Sequence, residues 1–442
     1  MAVTFLHLAD THLGSPLEAL GGADEAMATR LARAAEAALE RAVDVALERE
    51  VDFLVLAGDC YDREARSVRA NRVLADELGR LGEAGIPAYV IHGNHDPLGQ
   101  GAELLELPDT VHVFGSESVE AVPVPDAEDP IAEVIGRSYG SRHEGRSLVD
   151  DYAPETAGVP TVGLLHTALD PDGRRYVPCS EADLSSHAVD YWALGHVHHP
   201  RDLGAAPGAY PGIPQPRHVR EPSVGGCLLV ECAHTRAPSL EYVPTGPVVW
   251  REVSLDVCEL GTTLSDLESA MVDRAIELRQ EPLADLLEHD IPVLDTGWRP
   301  DGLVVRWRLT GRGQVHGALA DEEATAYLTE TLREALAADD PFVWTETVRD
   351  RTAPPLPDRE TLAEENDLLD ALLELAPEVR EDPEAREELR SRAGGAWETV
   401  EDPDREDTKV DRIPLTDDRL DALLEEATEV ALTTIVEGAD AD

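Results

Sequence analysis

The sequence predicts an α/β protein: a mainly parallel sheet covered by helices, then a small α+β domain and an acidic helical C-terminal extension. Three observations carry this expectation. Short apolar runs alternate with segments of helical period through residues 1–240, the signature of strands linked by helical crossovers. From about Pro247 the order changes to β-α-β-α-β, which marks a separate domain over residues 247–350. Beyond Thr352 the run APPLP acts as a linker, and residues 351–442 carry 29 acidic side chains against 10 basic ones.

The elements follow in chain order. Val3–Ala9 is a short apolar strand. In Asp24–Glu50, Leu31, Ala35, Leu39, Val43 and Leu47 recur every four residues on one helical face. Asp52–Ala57 (DFLVLA) has the continuous apolar character of a buried strand, Ser67–Gly82 is helical, and Ala88–Ile91, Thr161–Leu165 and Asp190–Leu194 are further strands. In the second region Val248–Val257, Leu303–Leu309 and Phe342–Val348 read as strands, and Leu264–Leu278 and Glu322–Ala337 as helices. Gln280–Pro300, with three prolines, reads as an irregular insertion. In the tail, Leu362–Leu375 and Leu420–Leu432 keep a helical pattern, while Gly394–Arg412 looks loose.

The chain has 442 residues, 42 % of them hydrophobic, enough for two or three domains with a sizeable core. No apolar run approaches the roughly 18 residues of a membrane span. The chain opens into a strand pattern without a basic n-region, so a soluble, cytoplasmic protein is expected. Five cysteines without metal-knuckle spacing agree with a reducing compartment. The formal net charge is −53, from 90 acidic and 37 basic residues, and Lys409 is the sole lysine. Taken alone, that charge argues against nucleic acid as a partner. Spread over the whole chain, with lysine almost absent, it resembles the composition of salt-loving archaea. On that reading the charge describes the solvent and not the ligand.

Five short motifs sit where apolar strands end: Asp10-Thr-His12, Gly58-Asp59, Gly93-Asn94-His95-Asp96, His166, and Gly195-His196-Val-His198. In an open α/β sheet, ligand-binding groups gather at the carboxyl ends of strands. A carboxylate, imidazole and amide set suits divalent Mn, Fe or Zn. Seven candidate ligands exceed what one tetrahedral ion needs, so two ions sharing a carboxylate are expected. Two metals about 3.5–4 Å apart suit phosphoester hydrolysis. His7 and His92 point away from the strand ends and read as core residues. Cys60, beside a candidate ligand, needs no chemical role.

DTH, GD, GNHD, a lone histidine after an apolar strand, and GHVH resemble the five signatures of the calcineurin-like metallophosphoesterase superfamily. FLHLADTHLGSPL, YVPCSEADL, DYWALGHVHHP and AYPGIPQPRHVRE followed by GGCLLVEC resemble, more narrowly, the SbcD-type DNA repair exonucleases, especially their YhaO-like branch. The resemblance covers residues 3–235 strongly and extends weakly to about Leu372. It implies a metallophosphoesterase sheet sandwich covered by helices for residues 1–240, and a capping or DNA-binding role for 247–350. It also implies one metal on Asp10, His12, Asp59 and His198, and another on Asp59, Asn94, His166 and His196, with Mn2+ the expected ion. Water activated by the two ions would attack the phosphodiester. His95 resembles the family's catalytic histidine, with Asp96 orienting its imidazole. Gln215, Arg217 and His218 would contact the DNA backbone. The implied partners are DNA, an SMC-like coiled-coil ATPase of the SbcC or YhaN type, and a second copy of the chain, with no membrane.

Two positions depart from the pattern. Asp62 stands where some relatives carry a histidine, and Ile213 and Pro216 stand where the YhaO-like loop has Asn and Gly. Two rival functions share the scaffold: a phosphatase acting on phosphomonoesters or phosphoproteins, suggested by Gly58-Asp59-Cys-Tyr-Asp62-Arg63, and a non-catalytic scaffold. Against the second, all seven ligand positions and His95 are present.

Overall fold

Burial of β1 (Ala2–Leu8) from Phe5 onward and of all of β2 (Phe53–Ala57) and β3 (Ala88–Ile91) makes these the interior strands of a sheet covered on both faces. In the computed structural model, which describes residues 2–15, 17, 25–62, 67–98, 106–125, 128–171, 173, 175–234, 236–321, 323–355, 382–386, 388, 420–427 and 430, they pair in parallel. β4 (Val111–Val113) continues the parallel run, and β11 (Gly226–Ala233) and β12 (Arg236–Pro244) add antiparallel strands on the other side of β1. The strand order is β12-β11-β1-β2-β3-β4.

A second six-stranded sheet is built from β5 (Glu120–Val124), β6 (Ala132–Gly136), β7 (Thr161–His166), β8 (Tyr191–Gly195), β10 (Gly208–Tyr210) and β9 (Arg201–Asp202), in that order. Its centre, β6-β7-β8-β10, is parallel and its edges are antiparallel. The architecture is therefore α/β with two mixed sheets face to face. The strands suggested by strand–helix alternation are shared between the two: β1, β2 and β3 lie in one sheet and β7 and β8 in the other. The sheet edges are harder to read because β9 and β10 have only two and three residues, and β5 and β12 are incompletely buried.

Between the sheets lies an aromatic layer. Phe5 stacks on Phe53 at 4.8 Å, and Tyr191 from the second sheet meets Phe5 edge-on at 5.5 Å. On the outer face of the first sheet, Leu39, Val43 and Ala46 of α2 (Ala34–Glu48) and Leu74, Leu78 and Leu81 of α3 (Val68–Glu83) cover Leu6, Leu54 and Leu56. Ser67 starts α3 as an N-cap, accepting from the Ala70 N–H. The expected helix Asp24–Glu50 is two helices, α1 (Glu25–Ala32) and α2, parted at Arg33. Met27 and Leu31 of α1 pack with Trp250, Phe342 and Trp344, whereas α2 packs on the first sheet, so one straight rod cannot serve both surfaces. The outer face of the second sheet is covered by Tyr139, Tyr152, Val177 and α4 (Glu181–Ser185), which opens on a Ser180–Asp183 capping box.

The described residues form two compact units. One takes those of Met1–Val253, Ala270–Trp307 and Ala326–Val348; the other takes Ser254–Ser269, Arg308–Thr325 and those from Arg349 onward. After β12 the elements are β13 (Val248–Asp256), α5 (Leu264–Leu278), α6 (Leu283–Leu286), β14 (Gly302–Thr310), α7 (His316–Leu319), α8 (Ala324–Leu336) and β15 (Phe342–Asp350), and their strands form a sheet of order β13-β14-β15. Between residues 280 and 300, α6 is the one helix, and the chain is otherwise irregular apart from a bridge of Val293 to Tyr242. The expected helix Leu362–Leu375 and the loose stretch Gly394–Arg412 lie outside the described residues. Residues 420–427 are helical. Among the described residues no helix is long and apolar enough to cross a membrane.

The aromatic layer packs the inner faces of the two sheets together. Phe5→Ala should cost about 3–5 kcal/mol of unfolding free energy in a urea titration, the usual range for emptying a buried aromatic site. A loss below about 1 kcal/mol would mean that the layer does not join the sheets.

Candidate metal centre

The five motifs lie at the carboxyl ends of strands. β1, β2 and β3 of the first sheet lead into Asp10, Asp59 and Asn94; in the second, β7 ends on His166 and β8 leads into His196. The loops after β1 and β2 are zipped by Asp10 N–H to Gly58 O at 2.9 Å, His12 N–H to Asp59 O at 3.0 Å and Leu13 N–H to Cys60 O at 2.9 Å. Asp10, His12, Asp59 and His196 all hold positive φ, at 55°, 41°, 51° and 97°. Such conformations cost non-glycine residues of order 1–3 kcal/mol each and persist where surrounding structure imposes them. The glycines beside these residues serve close packing. A Cβ on Gly195 would lie 1.9 Å from Ala57 O and 2.8 Å from His166 Nδ1, and one on Gly58 would lie 2.4 Å from His166 Nδ1.

The candidate ligands form two buried groups. Ligand atoms of Asp10, His12 and His198 lie within 4.8 Å of one another, as do those of Asp59, His166 and His196. Asn94 Oδ1 joins the second group, 3.0 Å from both His166 Nε2 and His196 Nδ1. Asp59 Oδ2 faces both groups, 3.3 Å from His166 Nε2 and 3.9 Å from His12 Nε2. Its other oxygen accepts the His95 backbone N–H at 2.9 Å.

The donor chemistry of these contacts fits divalent cations. His166 Nδ1 lies 2.9 Å from Ala57 O, a carbonyl that can only accept, so Nδ1 carries the proton. In the neutral ring Nε2 is then a lone pair, aimed at two further acceptors, Asn94 Oδ1 and Asp59 Oδ2. With the Asn94 oxygen turned inward, an added positive charge reconciles the three acceptors: a second proton on the ring or a metal ion. His198 repeats the pattern. Its Nδ1 donates to the Glu221 carboxylate at 2.7 Å, leaving the Nε2 lone pair 3.2 Å from His12 Nε2 and 4.0 Å from Asp10 Oδ1. Backing of a ligating imidazole by a carboxylate or carbonyl is the usual outer shell of a metal site. His12 Nδ1 is buried without a protein partner among the described residues.

The electrostatics follow. Burial raises Asp10, as does the like charge of Asp59, to about 6 despite the nearby histidines. Burial also works against ionised Asp59, but the His166 charge and hydrogen bond override it and hold Asp59 well below the usual range. Burial lowers His166, yet Asp59 and Asp10 outweigh it and push the imidazole up to about 9. His196, buried beside that positive ring, falls to about 3.

His95 stands at the edge of the cluster, its ring 4.9 Å from that of His12. Its Nδ1 lies 3.3 Å from Asp62 Oδ1, and the second Asp62 oxygen accepts from Ser15 Oγ at 2.8 Å. Burial lowers His95, but the Asp62 hydrogen bond and the Asp59 charge more than offset it and leave it above its ordinary value. Asp62 is correspondingly lowered, first by that hydrogen bond. The expectation that Asp96 orients His95 is thus corrected. Asp96 is buried and accepts from Cys60 N–H, Tyr61 N–H, Gly93 N–H and His92 Nδ1, at 2.9, 3.3, 2.8 and 3.0 Å. It knots the GD and GNHD loops together, and the carboxylate beside His95 Nδ1 is that of Asp62.

The loop after β10 also differs from expectation. Gln215 is buried, with Nε2 donating to Pro216 O and Val248 O and Oε1 accepting from Val248 N–H, so it supports the loop and cannot reach DNA. Arg217 does face the cluster: its guanidinium lies 3.6 Å from Asp62 Oδ2 and 3.2 Å from Glu221 Oε1. His218 is half-buried beside Glu221 at 3.7 Å. His7, as expected, is a core residue, held by Tyr191 OH and Leu194 O and lowered to about 3 by burial. Sequence reasoning gave Asp62 no role beside His95 and passed over Glu221. The available signals were the acid three residues after Asp59 and the acid four residues after Arg217. Arg63 lies outside the described residues.

This fold and site belong to a known class: the chain is a member of the calcineurin-like phosphoesterase family, whose pattern matches residues 3–200. It is 31 % identical over 362 residues to the uncharacterized metallophosphoesterase YhaO of Bacillus subtilis, covering 79 % of this chain and 82 % of that one. It is 28 % identical over 277 residues to the DNA double-strand break repair protein Mre11 of Aeropyrum pernix, covering 58 % of this chain and 64 % of that one. To the protein of the same name from Methanopyrus kandleri it is 28 % identical over 228 residues, 48 % of each.

Because a cation must displace the second proton from His166, Mn2+ affinity should rise with pH by roughly tenfold per unit until about pH 9, where that imidazole titrates. Isothermal titration from pH 6.5 to 9.5 checks this. A pH-independent affinity across that interval would mean that His166 does not contact the ion.

Proposed function

We propose that the protein is a two-metal-dependent phosphodiesterase acting on DNA, a repair exonuclease or endonuclease that works with an SMC-like coiled-coil ATPase of the SbcC or YhaN type. The observation that carries the reading is the placement of His95, held by Asp62, and of Arg217 beside two convergent sets of lone pairs. In this reading Asp10, His12, Asp59 and His198 hold one ion and Asp59, Asn94, His166 and His196 the other. When bound, the ions supply Lewis acidity and an acidified water.

The remaining work falls to the chain itself. His95 stands where, when protonated, it can donate from Nε2 to the departing oxygen, its other nitrogen being committed to Asp62. Arg217 offers a planar pair of N–H groups to a non-bridging phosphate oxygen. The archaeal relatives named as double-strand break repair proteins support DNA over phosphoproteins as the substrate. Residues 247–350 are proposed to cap the site and contact DNA, 351–442 to form an acidic extension, and the chain to pair with a second copy. Mn2+ is the proposed ion, and a cytoplasm at high salt the proposed setting.

Purified protein in molar salt with Mn2+ should degrade linear DNA in preference to a phosphopeptide. His95→Ala should lower kcat by about 10²–10⁴-fold, the usual worth of a positioned general acid, with Mn2+ stoichiometry unchanged. Full activity of His95→Ala would remove His95 from the chemistry, and phosphopeptide hydrolysis outpacing DNA hydrolysis would shift the substrate to phosphoproteins.

A further inference from the structure

We infer that Glu221, a residue outside the candidate ligand set, is a positioning residue that ties one metal position to the substrate-binding arginine. The inference rests on the two-ion reading given above. The Glu221 side chain is 4 % exposed, and both of its oxygens are spent on the site. Oε1 accepts from His198 Nδ1 at 2.7 Å and from Arg217 Nη2 at 3.2 Å, and Oε2 accepts the Arg217 backbone N–H at 2.5 Å.

These bonds do two things. A carboxylate can only accept, so the bond to His198 fixes the proton on Nδ1 and turns the Nε2 lone pair toward Asp10 and His12. Without that acceptor the ring is free to adopt the other tautomer or to rotate, and each ligating geometry becomes one of several. The bonds to Arg217 hold backbone and guanidinium together, so the guanidinium stays 3.6 Å from Asp62 Oδ2 instead of extending into solvent. Asp62 in turn holds His95. His198, Glu221, Arg217, Asp62 and His95 thus form one alternating chain of cation-forming and anionic groups, running from a ligand to the proton donor.

The local sequence makes this arrangement. Gln215, Pro216 O and the Trp250 indole fix the start of the loop, and a turn closed by Glu221 N–H on His218 O brings the carboxylate back over Arg217. Pro216, which departs from the family pattern, contributes its carbonyl to this anchor and needs no N–H there.

Binding of Mn2+ alone, followed by the EPR signal of free ion during titration, tests the inference without DNA and without activity. Glu221→Gln keeps the size of the side chain and can still accept from His198, but it removes the charge; Glu221→Ala removes both. Wild type should bind two ions. Glu221→Gln should weaken one of them by about tenfold and Glu221→Ala by up to about a hundredfold, the span seen when outer-shell partners of metal ligands are removed. The second ion should be unaffected in both, and Arg217→Ala should bind both ions as wild type does. Two wild-type ions with unchanged affinity in Glu221→Gln and Glu221→Ala would overturn this inference alone. So would an equal weakening in Arg217→Ala, because the effect would then run through the arginine. Fewer than two ions in wild type would overturn the two-ion reading and this inference with it.

Discussion

Everything at the site depends on one buried contact, the Asp59 carboxylate of the first sheet against the His166 imidazole of the second. Asp59 leaves β2 with positive φ, so its side chain turns inward across the sheet edge. His166 ends β7 with its far nitrogen bound to Ala57 O, the carbonyl two residues before Asp59. The two sheets are therefore stitched polar to polar at one edge and apolar to apolar along the Phe5–Phe53–Tyr191 layer. Burying a carboxylate this deeply is unfavourable unless positive charge compensates it. The family's answer is metal, and the same carboxylate faces both ligand groups.

The strain around this contact has a consistent logic. Four candidate ligands sit at positive φ, and the glycines preceding Asp59 and His196 pack against His166 or the β2 carbonyl with no room for a side chain. The loops are fixed from outside by hydrogen-bonded groups: Asp96 under the GD and GNHD turns, Tyr139 OH on His166 O, and Tyr210 OH on Thr167 O. Such a frame holds lone pairs in place before an ion arrives, which is the pre-organisation a metal centre requires.

Much of this was legible in the sequence, for a physical reason. Interior strands are apolar on both faces, so β1, β2, β3, β7 and β8 stand out as runs, and the residues just after them are where ligands collect. The short strands β9 and β10 and the incompletely buried β5 lack such runs, so the edges of the second sheet were hidden. Adjacency in sequence also misled. Asp96 follows His95 directly, yet the turn sends it under the loop, and the partner of His95 is Asp62, brought close by strand pairing. Gln215 was read as reaching DNA because its loop resembles that of the YhaO-like branch, but a single buried amide satisfying Val248 is invisible to such a resemblance. The net charge of −53 first counted against nucleic acid. In the proposed high-salt setting it bears only on long-range attraction, which molar salt screens within about 3 Å.

Asp59 is proposed to bridge two ions. Anomalous diffraction from crystals grown with Mn2+, collected above and below the manganese edge, tests this directly. Two peaks about 3.5–4 Å apart are expected, one beside Asp10, His12 and His198, the other beside Asn94, His166 and His196, with an Asp59 oxygen in contact with both. A single peak, or two peaks of which Asp59 touches only one, would contradict it.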